Sequence, residues 1–404
     1  MARWLALAVA VAIGCSPQAP IIEVEREPPA PTADEQLEGV AALVETVPSE
    51  TTLGSDDIAD THDVWLAMID GAAHSIDIGQ FYAAGSPGPD RFDAVVEALA
   101  RATGRGVKVR VLVDVLFAAQ YRKSLGQLER VAMVRTTDVW RPGVQHAKYF
   151  VVDGRDAYLG SANLDWRSLE HIHEIGVRVE SKELGRQLAD LFERDWRRAD
   201  GTEVAWGNAT WGAVPLVGGG SLRLVASPDS ALPDAQAFEL AALVDALARA
   251  KRHAAIQLLD YDPSHRDGRP FVALDEAIRA AAARGVRVRL LASHWQARHM
   301  TAIKALHEVE NVEVALVTIP PARSGFIPFA RVAHAKYAAF DGQRAWIGSS
   351  NWKGDYFHGG RNVGVVIEDS PLVAQLEGVF GEVWLSGLAE LVAPHRSYQV
   401  PRIQ

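Results

Sequence analysis

Two stretches, HAKYFVVDGRDAYLGSAN from His146 to Asn163 and HAKYAAFDGQRAWIGSSN from His334 to Asn351, carry His, Lys, Asp, Gly-Ser and Asn at identical offsets. On a β-strand, the His and Lys of each pair, two residues apart, point to one face. Lysine is a poor metal ligand at neutral pH but a good fixed charge against phosphate. His-x-Lys therefore argues for anion binding and against zinc. Cleaving a phosphodiester without a metal requires a nucleophile, an acid for the departing oxygen and positive charge on the phosphoryl oxygens. One copy supplies half of such a site. If the two halves meet about a pseudo-twofold axis, one neutral imidazole attacks phosphorus and the other, protonated, gives its proton to the leaving alkoxide. Gly160-Ser161 and Gly348-Ser349 are expected to turn the chain and allow close backbone approach. Asn163 and Asn351 can then donate amide hydrogens to the same oxygens. This chemistry needs neither a cofactor nor a metal. His171 and His173 could suggest a metal pair, but no third ligand lies close in sequence, and they are read as exposed strand positions.

The elements that must position these residues also repeat. In the first half, HSIDIGQFY (74–82) reads as a strand. A helix follows with Phe92, Val95, Val96, Leu99 and Ala100 on one face, then Gly106 as a stop and the strand VKVRVLVD (107–114). The second half repeats the order with AAIQLLDY (254–261), a helix bearing Leu274, Ala277, Ile278, Ala281 and Ala282, Gly285, and VRVRLLAS (286–293). A second helix and short strand precede each motif, at 118–129 with 133–136 and at 302–308 with 312–317. Behind each motif come an apolar strand, 175–180 or 363–368, and a closing helix, 183–198 or 372–384. Strands interleaved with amphipathic helices predict an α/β architecture in which helices cover a sheet. The period is about 190 residues, far beyond the roughly 20 to 50 of solenoid repeats, so two similar domains are expected.

A chain of 404 residues, 48% hydrophobic and 23% charged, is long enough for two such cores. Its net charge of -10 gives no global attraction to polyphosphates, so any nucleic-acid binding would need a local basic groove. Met1-Ala2-Arg3, the apolar run Trp4 to Ile13 and Gly14-Cys15-Ser16 follow the order of a secretory signal, and the run is too short to span a bilayer. Ala12-Ile13-Gly14-Cys15 resembles the lipobox of bacterial lipoproteins, which makes Cys15 the lipidated residue; it is the one cysteine in the sequence. The expected organisation is a signal peptide over 1–14, a lipidated Cys and Pro/Glu-rich tether over 15–36, a first domain over 37–204 and a second over 205–404. The WGNATWG and VGGG stretch marks the boundary. The expected location is the bacterial envelope, at the outer membrane facing the periplasm.

H-x-K-x4-D-x6-G-S-x-N, present twice at one spacing, resembles the phospholipase D superfamily, over nearly all of the chain beyond the tether. YLGSANLDWRSLEHIHEIGV, IPFARVAHAKY and IGSSNWKGDYF look like the branch holding animal lysosomal phospholipase D-like exonucleases and poxvirus envelope phospholipases. The resemblance implies two similar domains, each a mixed sheet flanked by helices, packed about a pseudo-twofold axis with one active site between them. It implies His146 as nucleophile, forming a phosphohistidine, and His334 as general acid. Lys148, Lys336, Asn163 and Asn351 would bind phosphate, while Ser161, Ser349, Asp153 and Asp341 would support local geometry. Glu174 stands where the family often has a carboxylate hydrogen-bonded to an active-site His, and Asn362 occupies the matching place in the second half. Which His each one touches is left open by the sequence. Ala335 departs from the branch, which commonly has Asn there.

The leading expectation is a metal-independent phosphodiesterase that hydrolyses or transfers phospholipid phosphodiesters at a membrane reached through the lipid anchor, with no obligate protein partner evident. A 5′ exonuclease on single-stranded DNA or RNA is the alternative, with Arg141, Arg155, Arg167, Arg331 and Arg361 near the motifs as its cations. A third is a non-catalytic lipoprotein that binds anionic lipid. Phe81, Tyr82, Asp260, Tyr261, Trp140, Trp352, Tyr356 and Phe357 sit at strand ends and motif loops, where the aromatic rings among them could stack on bases, line an acyl groove or pack in the core.

Overall fold

All four side chains of Tyr149–Val152 are buried, and alternate ones enter different cores: Tyr149 and Val151 one, Phe150 and Val152 another. A strand apolar on both faces belongs inside a sheet covered on both sides. The computed structural model describes residues 38–404; the expected signal peptide, Cys15 and the tether lie outside the described residues.

The first lobe comprises β1 (Val40–Thr46), α1 (Thr61–Gly71), β2 (Ser75–Gly79), α2 (Arg91–Gly104), β3 (Lys108–Asp114), β4 (Met133–Thr137), β5 (Tyr149–Val152), β6 (Asp156–Gly160), β7 (Glu174–Glu180) and α3 (Lys182–Arg198). Its strands lie in the order β1-β7-β6-β5-β2-β3-β4, with Ala59–Asp60 on the β1 edge. The second lobe comprises β8 (Ser221–Ser227), α4 (Glu239–Arg249), β9 (His253–Leu258), α5 (Ala273–Ala283), β10 (Arg287–Ser293), β11 (Val312–Val317), β12 (Tyr337–Phe340), β13 (Arg344–Gly348), β14 (Asn362–Glu368) and α6 (Pro371–Leu385). Its order, β8-β14-β13-β12-β9-β10-β11, repeats the first, with Val214–Pro215 and Ala389–Leu391 added at the edges. In each lobe three neighbouring strands run parallel and the other numbered strands pair antiparallel, while the Ala59–Asp60 edge runs parallel to β1. The division expected at 204/205 falls in the loop between α3 and Val214–Pro215.

The outer face of the first sheet is covered by α1 and α2, and that of the second by α4 and α5. The inner faces share one core, in which Tyr149, Leu159 and Val177 of one sheet join Tyr337, Ile347 and Val365 of the other, with α3 and α6 packed against it. Truncating a leucine in such a core costs about 2–5 kcal/mol. Ser181 and Ser370 cap α3 and α6 through bonds from the Leu184 and Leu372 N–H groups.

Three local expectations are corrected. The strand containing each motif begins at Tyr149 or Tyr337, so the His-x-Lys residues form the approach to a strand and not the strand itself. Gly160 and Gly348 end strands instead of making turns, although close approach does require them. A Cβ on Gly160 would sit 2.5 Å from the Gly176 Cα, and one on Gly348 would sit 2.7 Å from the Trp346 ring. The helix expected over 118–129 is split into Val115–Ala118 and Arg122–Leu128.

Candidate active site

The two motifs are stitched to opposite lobes by backbone hydrogen bonds. His146 N–H donates to the Arg361 carbonyl at 2.8 Å, and Arg361 N–H to Val144 at 3.0 Å. The same pattern recurs as His334 N–H to the His173 carbonyl at 2.9 Å and His173 N–H to Val332 at 3.0 Å. One sequence displacement relates 144 to 332, 146 to 334, 173 to 361 and 174 to 362. These bridges deliver the next side chain to the imidazole of the other lobe. Glu174 of the first lobe accepts from Nδ1 of His334, at 2.8 and 2.9 Å, and Asn362 of the second stands 3.0 Å from Nδ1 of His146. The choice that the sequence left open is settled by this exchange.

A second layer fixes both partners. Ser161 and Ser168 donate to Glu174 at 2.6 and 2.9 Å, while Ser349 donates to Asn362 Oδ1 at 3.0 Å. The Asn362 amide nitrogen donates to the Tyr356 carbonyl at 2.8 Å, which turns Oδ1 toward His146. His146 accordingly keeps its proton on Nδ1 and leaves the Nε2 lone pair free. Lys148 and Lys336 are fully buried, and each donates to the carbonyl of its own motif His. Ala147 and Ala335, between His and Lys, pack into the shared core among apolar side chains, where a polar side chain would be unfavourable. Asp153 and Asp341 lie elsewhere, at hairpin corners with φ of 51° and 58°. Their carboxylates gather the N–H groups of 73–75 and 251–253 at 2.7–2.9 Å.

His173 is wholly buried, contrary to the exposed position expected for it. Its Nε2 lies 2.9 Å from Glu45 of β1 and its Nδ1 3.1 Å from the Gln257 amide. His171 is half-buried, 3.0 Å from the Ser49 hydroxyl. At the position matching His173, Arg361 is buried in an ion pair with Asp195 at 2.8 Å. Neither partner could be found from sequence, since Glu45 lies on a strand that the periodicity did not reveal and Asp195 on the helix of the other lobe.

Burial, with the cations Lys148 and Lys336 and the neighbouring His334, holds His146 well below the ordinary histidine range. Burial also lowers His334, and the Glu174 carboxylate opposes that shift. Burial pushes Lys148 far down, with Lys336 adding to the shift, and pushes Lys336 to about 7 against the pull of Glu174 and Asp260. Glu174 stays below the usual carboxylate range despite burial because His334, Lys336 and Ser161 stabilise its charge. A phosphodiester anion bound among these groups would favour their charged forms.

His146, His334, Asn163 and Asn351 line a cleft of about 770 Å³ between the lobes. Its first-lobe wall is Phe81, Tyr82, Phe117, Gln120, Tyr121 and Ile172; its second-lobe wall includes Leu259, Trp295, Val332 and Phe329. Of the aromatic residues picked out in the sequence, Phe81, Tyr82 and Tyr356 line it. Tyr261, Trp352 and Phe357 belong to the second-lobe core, and Trp140 lies under Arg361 at 4.3 Å. None of the five arginines expected to serve a nucleic-acid backbone lines the cleft. Arg361 and Arg167 are held by Asp195 and Asp165, Arg331 by the Pro320 and Ser49 carbonyls, and Arg141 lies 3.8 Å from Asp114. Ser168, Phe117, Tyr121, Trp295 and Phe329 were missed, since nothing in their local sequence separates them from core residues.

A family model described as cardiolipin synthase, PLD-like domain, matches residues 65–196 and 243–384. The chain is 31% identical to phospholipase D Z of Dictyostelium discoideum over 387 residues, covering 87% of this chain and 90% of the relative. It is 30% identical to the 5'-3' exonuclease PLD3 of Macaca fascicularis, covering 85% of this chain and 79% of the relative. The fold is similar to that of phosphatidylserine synthase from Haemophilus influenzae, with a TM-score of 0.61 at 14% identity over 82% of this chain and 85% of that one. With the PLD-like model matched in both lobes over most of its length, the chain belongs to the phospholipase D superfamily of phosphodiesterases.

Proposed function

We propose that the protein hydrolyses or transfers phospholipid phosphodiesters through a phosphohistidine. Nε2 of His146 attacks phosphorus, the bond to the leaving alcohol breaks, and His334 gives that oxygen its proton. Water, or a second alcohol, then surrenders a proton to His334 and displaces His146. Lys148, Lys336, Asn163 and Asn351 would neutralise and hold the phosphoryl oxygens. The observation that carries the choice of substrate is the wall of the cleft: apart from Gln120 and Gln404 it is aromatic and aliphatic on both sides, with no arginine on it among the described residues. Each acyl methylene buried there contributes about 0.8 kcal/mol. Lipid attachment at Cys15 and residence at the bacterial envelope belong to the same proposal, and incorporation of labelled palmitate into wild type but not Cys15→Ser would support them.

A second reading, exonuclease action on single strands, draws on the near-parallel Tyr82 and Tyr121 rings, 5.2 Å apart at 22°, a ready platform for a base. The two are separated by offering head-group-labelled phospholipid vesicles and a 5′-hydroxyl oligonucleotide in EDTA. Release of head group alone is expected. Turnover of the oligonucleotide alone selects the exonuclease, turnover of neither favours a lipid-binding role, and loss of turnover in EDTA defeats the metal-free mechanism.

A further inference from the structure

Three stretches from distant parts of the chain meet around the mouth of the cleft. Phe117 and Tyr121 line it from the first lobe, Pro328 and Phe329 from the second, and Gln404 from a third stretch. Arg167, held by Asp165, clasps the first two by donating to the Tyr121 hydroxyl and the Pro328 carbonyl, each at 3.2 Å. The third joins the second where Phe329 N–H donates to Ile403 at 2.8 Å and Arg402 lies over the Phe326 ring at 4.2 Å.

Next to their lining residues, these stretches turn large apolar side chains outward. Leu116 is 46% exposed, Phe326 44% and Val400 62%. Apolar side chains exposed together beside a ligand cleft mark a site of contact, whereas the same groups scattered singly do not. The stretches 115–124, 321–329 and 398–404 also carry the exposed cations Arg122, Lys123, Arg323 and Arg402 and contain no Asp or Glu, in a chain of net charge -10. Glu50 does reach the rim, but its carboxylate accepts the Arg323 peptide N–H at 2.7 Å.

The geometry points to this rim as a docking surface for an anionic phospholipid bilayer, an inference that rests on the phospholipid reading above. Leu116, Phe326 and Val400 would enter the boundary between head groups and acyl chains while the four cations engage anionic lipid. The mouth of the cleft then faces the membrane, and a lipid phosphate reaches His146 and His334 without its chains crossing water. A nucleic acid would use the cations but would leave the three apolar side chains in solvent.

The test compares the full chain carrying Cys15→Ser with the same chain carrying also Leu116→Ser, Phe326→Ser and Val400→Ser. Both are assayed for sedimentation with 3:1 phosphatidylcholine:phosphatidylglycerol vesicles and for turnover of the vesicles and of soluble bis(p-nitrophenyl) phosphate. The triple variant is expected to bind vesicles and turn them over about tenfold less well, with the soluble ester cleaved as before. A variant that binds vesicles as tightly as its parent overturns the docking surface. Oligonucleotide binding by both proteins, with no vesicle binding by either, also overturns it. Vesicle binding lost in the triple variant, with no phospholipid turned over by the parent, keeps the docking surface and defeats the phospholipid reading instead.

Discussion

The carboxylate of Glu174 faces His334 and the amide of Asn362 faces His146, and this difference separates the chemistry of two otherwise repeated motifs. A carboxylate favours imidazolium; an amide locked with its oxygen inward adds no negative charge and fixes the proton on Nδ1, while burial and the two lysines keep His146 low. The same split runs one residue back, where Arg361, always charged, anchors the bridge beside His146 and His173 anchors the one beside His334. It appears again beneath the motifs. Trp346 of β13 donates to Glu239 at 3.1 Å, and that carboxyl also receives Ser227 and Ser350. The matching Tyr158 packs edge-on against Trp65, and its hydroxyl donates to no carboxylate among the described residues. The repeated backbone thus places matching positions alike, while side chains inside and outside the motifs make the surroundings of the two histidines differ.

The sharpest way to break the comparison is to remove each imidazole and vary the leaving group. His146→Ala is expected to lose about 10⁴-fold or more in turnover on alkyl and nitrophenyl diesters alike. His334→Ala should lose about 10²- to 10⁴-fold on alkyl esters and regain most of it with p-nitrophenol, which departs without a proton. Rescue of His146→Ala in place of His334→Ala would exchange the two roles.

A smaller effect, about a hundredfold, is expected from Glu174→Gln. Losing the carboxylate lowers the pKa of His334. The limb on which kcat/KM falls with rising pH therefore moves to lower pH. Asn362→Asp should act in the opposite sense on His146, raising its pKa and moving the acid limb upward, with about tenfold loss near pH 5. Rate profiles that superimpose on wild type would show that the two orienting groups do not distinguish the histidines.

The smallest expected effect is on stability. Burial pushes Glu239 up to about 7, against the bonds from Ser350, Ser227 and Trp346. A carboxyl with a raised folded-state pKa contributes stability that is full below its ordinary value and lost as pH rises through 7, an amount of about 3 kcal/mol. Glu239→Gln should flatten the fall in Tm between pH 5 and 8; an undiminished slope would assign the pH dependence to other groups.

Much of this arrangement was legible in the sequence because local periodicity carries it. The helix face at Phe92, Val95, Val96 and Leu99, and the strands after Gly106 and Gly285, appear where the pattern places them. The motif residues that converge on the cleft were marked by repetition alone. What remained hidden depends on contacts between lobes. Glu174 lies close to His146 in sequence yet serves His334, and His173 looked like a surface residue because its acid, Glu45, stands on the unassigned strand β1. Strands β1 and β8 were passed over because neither lies within the repeat as read from the motifs outward, although each completes the sheet beside β7 or β14.

The crossed bridges at 144–146 with 361 and 332–334 with 173 bind the fate of the halves together. Each imidazole borrows its orienting group from the opposite half, so a slip of one lobe past the other would misalign both histidines at once. Turnover should therefore vanish while both cores are still intact, making catalysis a gauge of lobe register more sensitive than any measure of bulk unfolding. Position 174 is thus coupled to 334 and position 362 to 146, which ties the two repeated halves into one device.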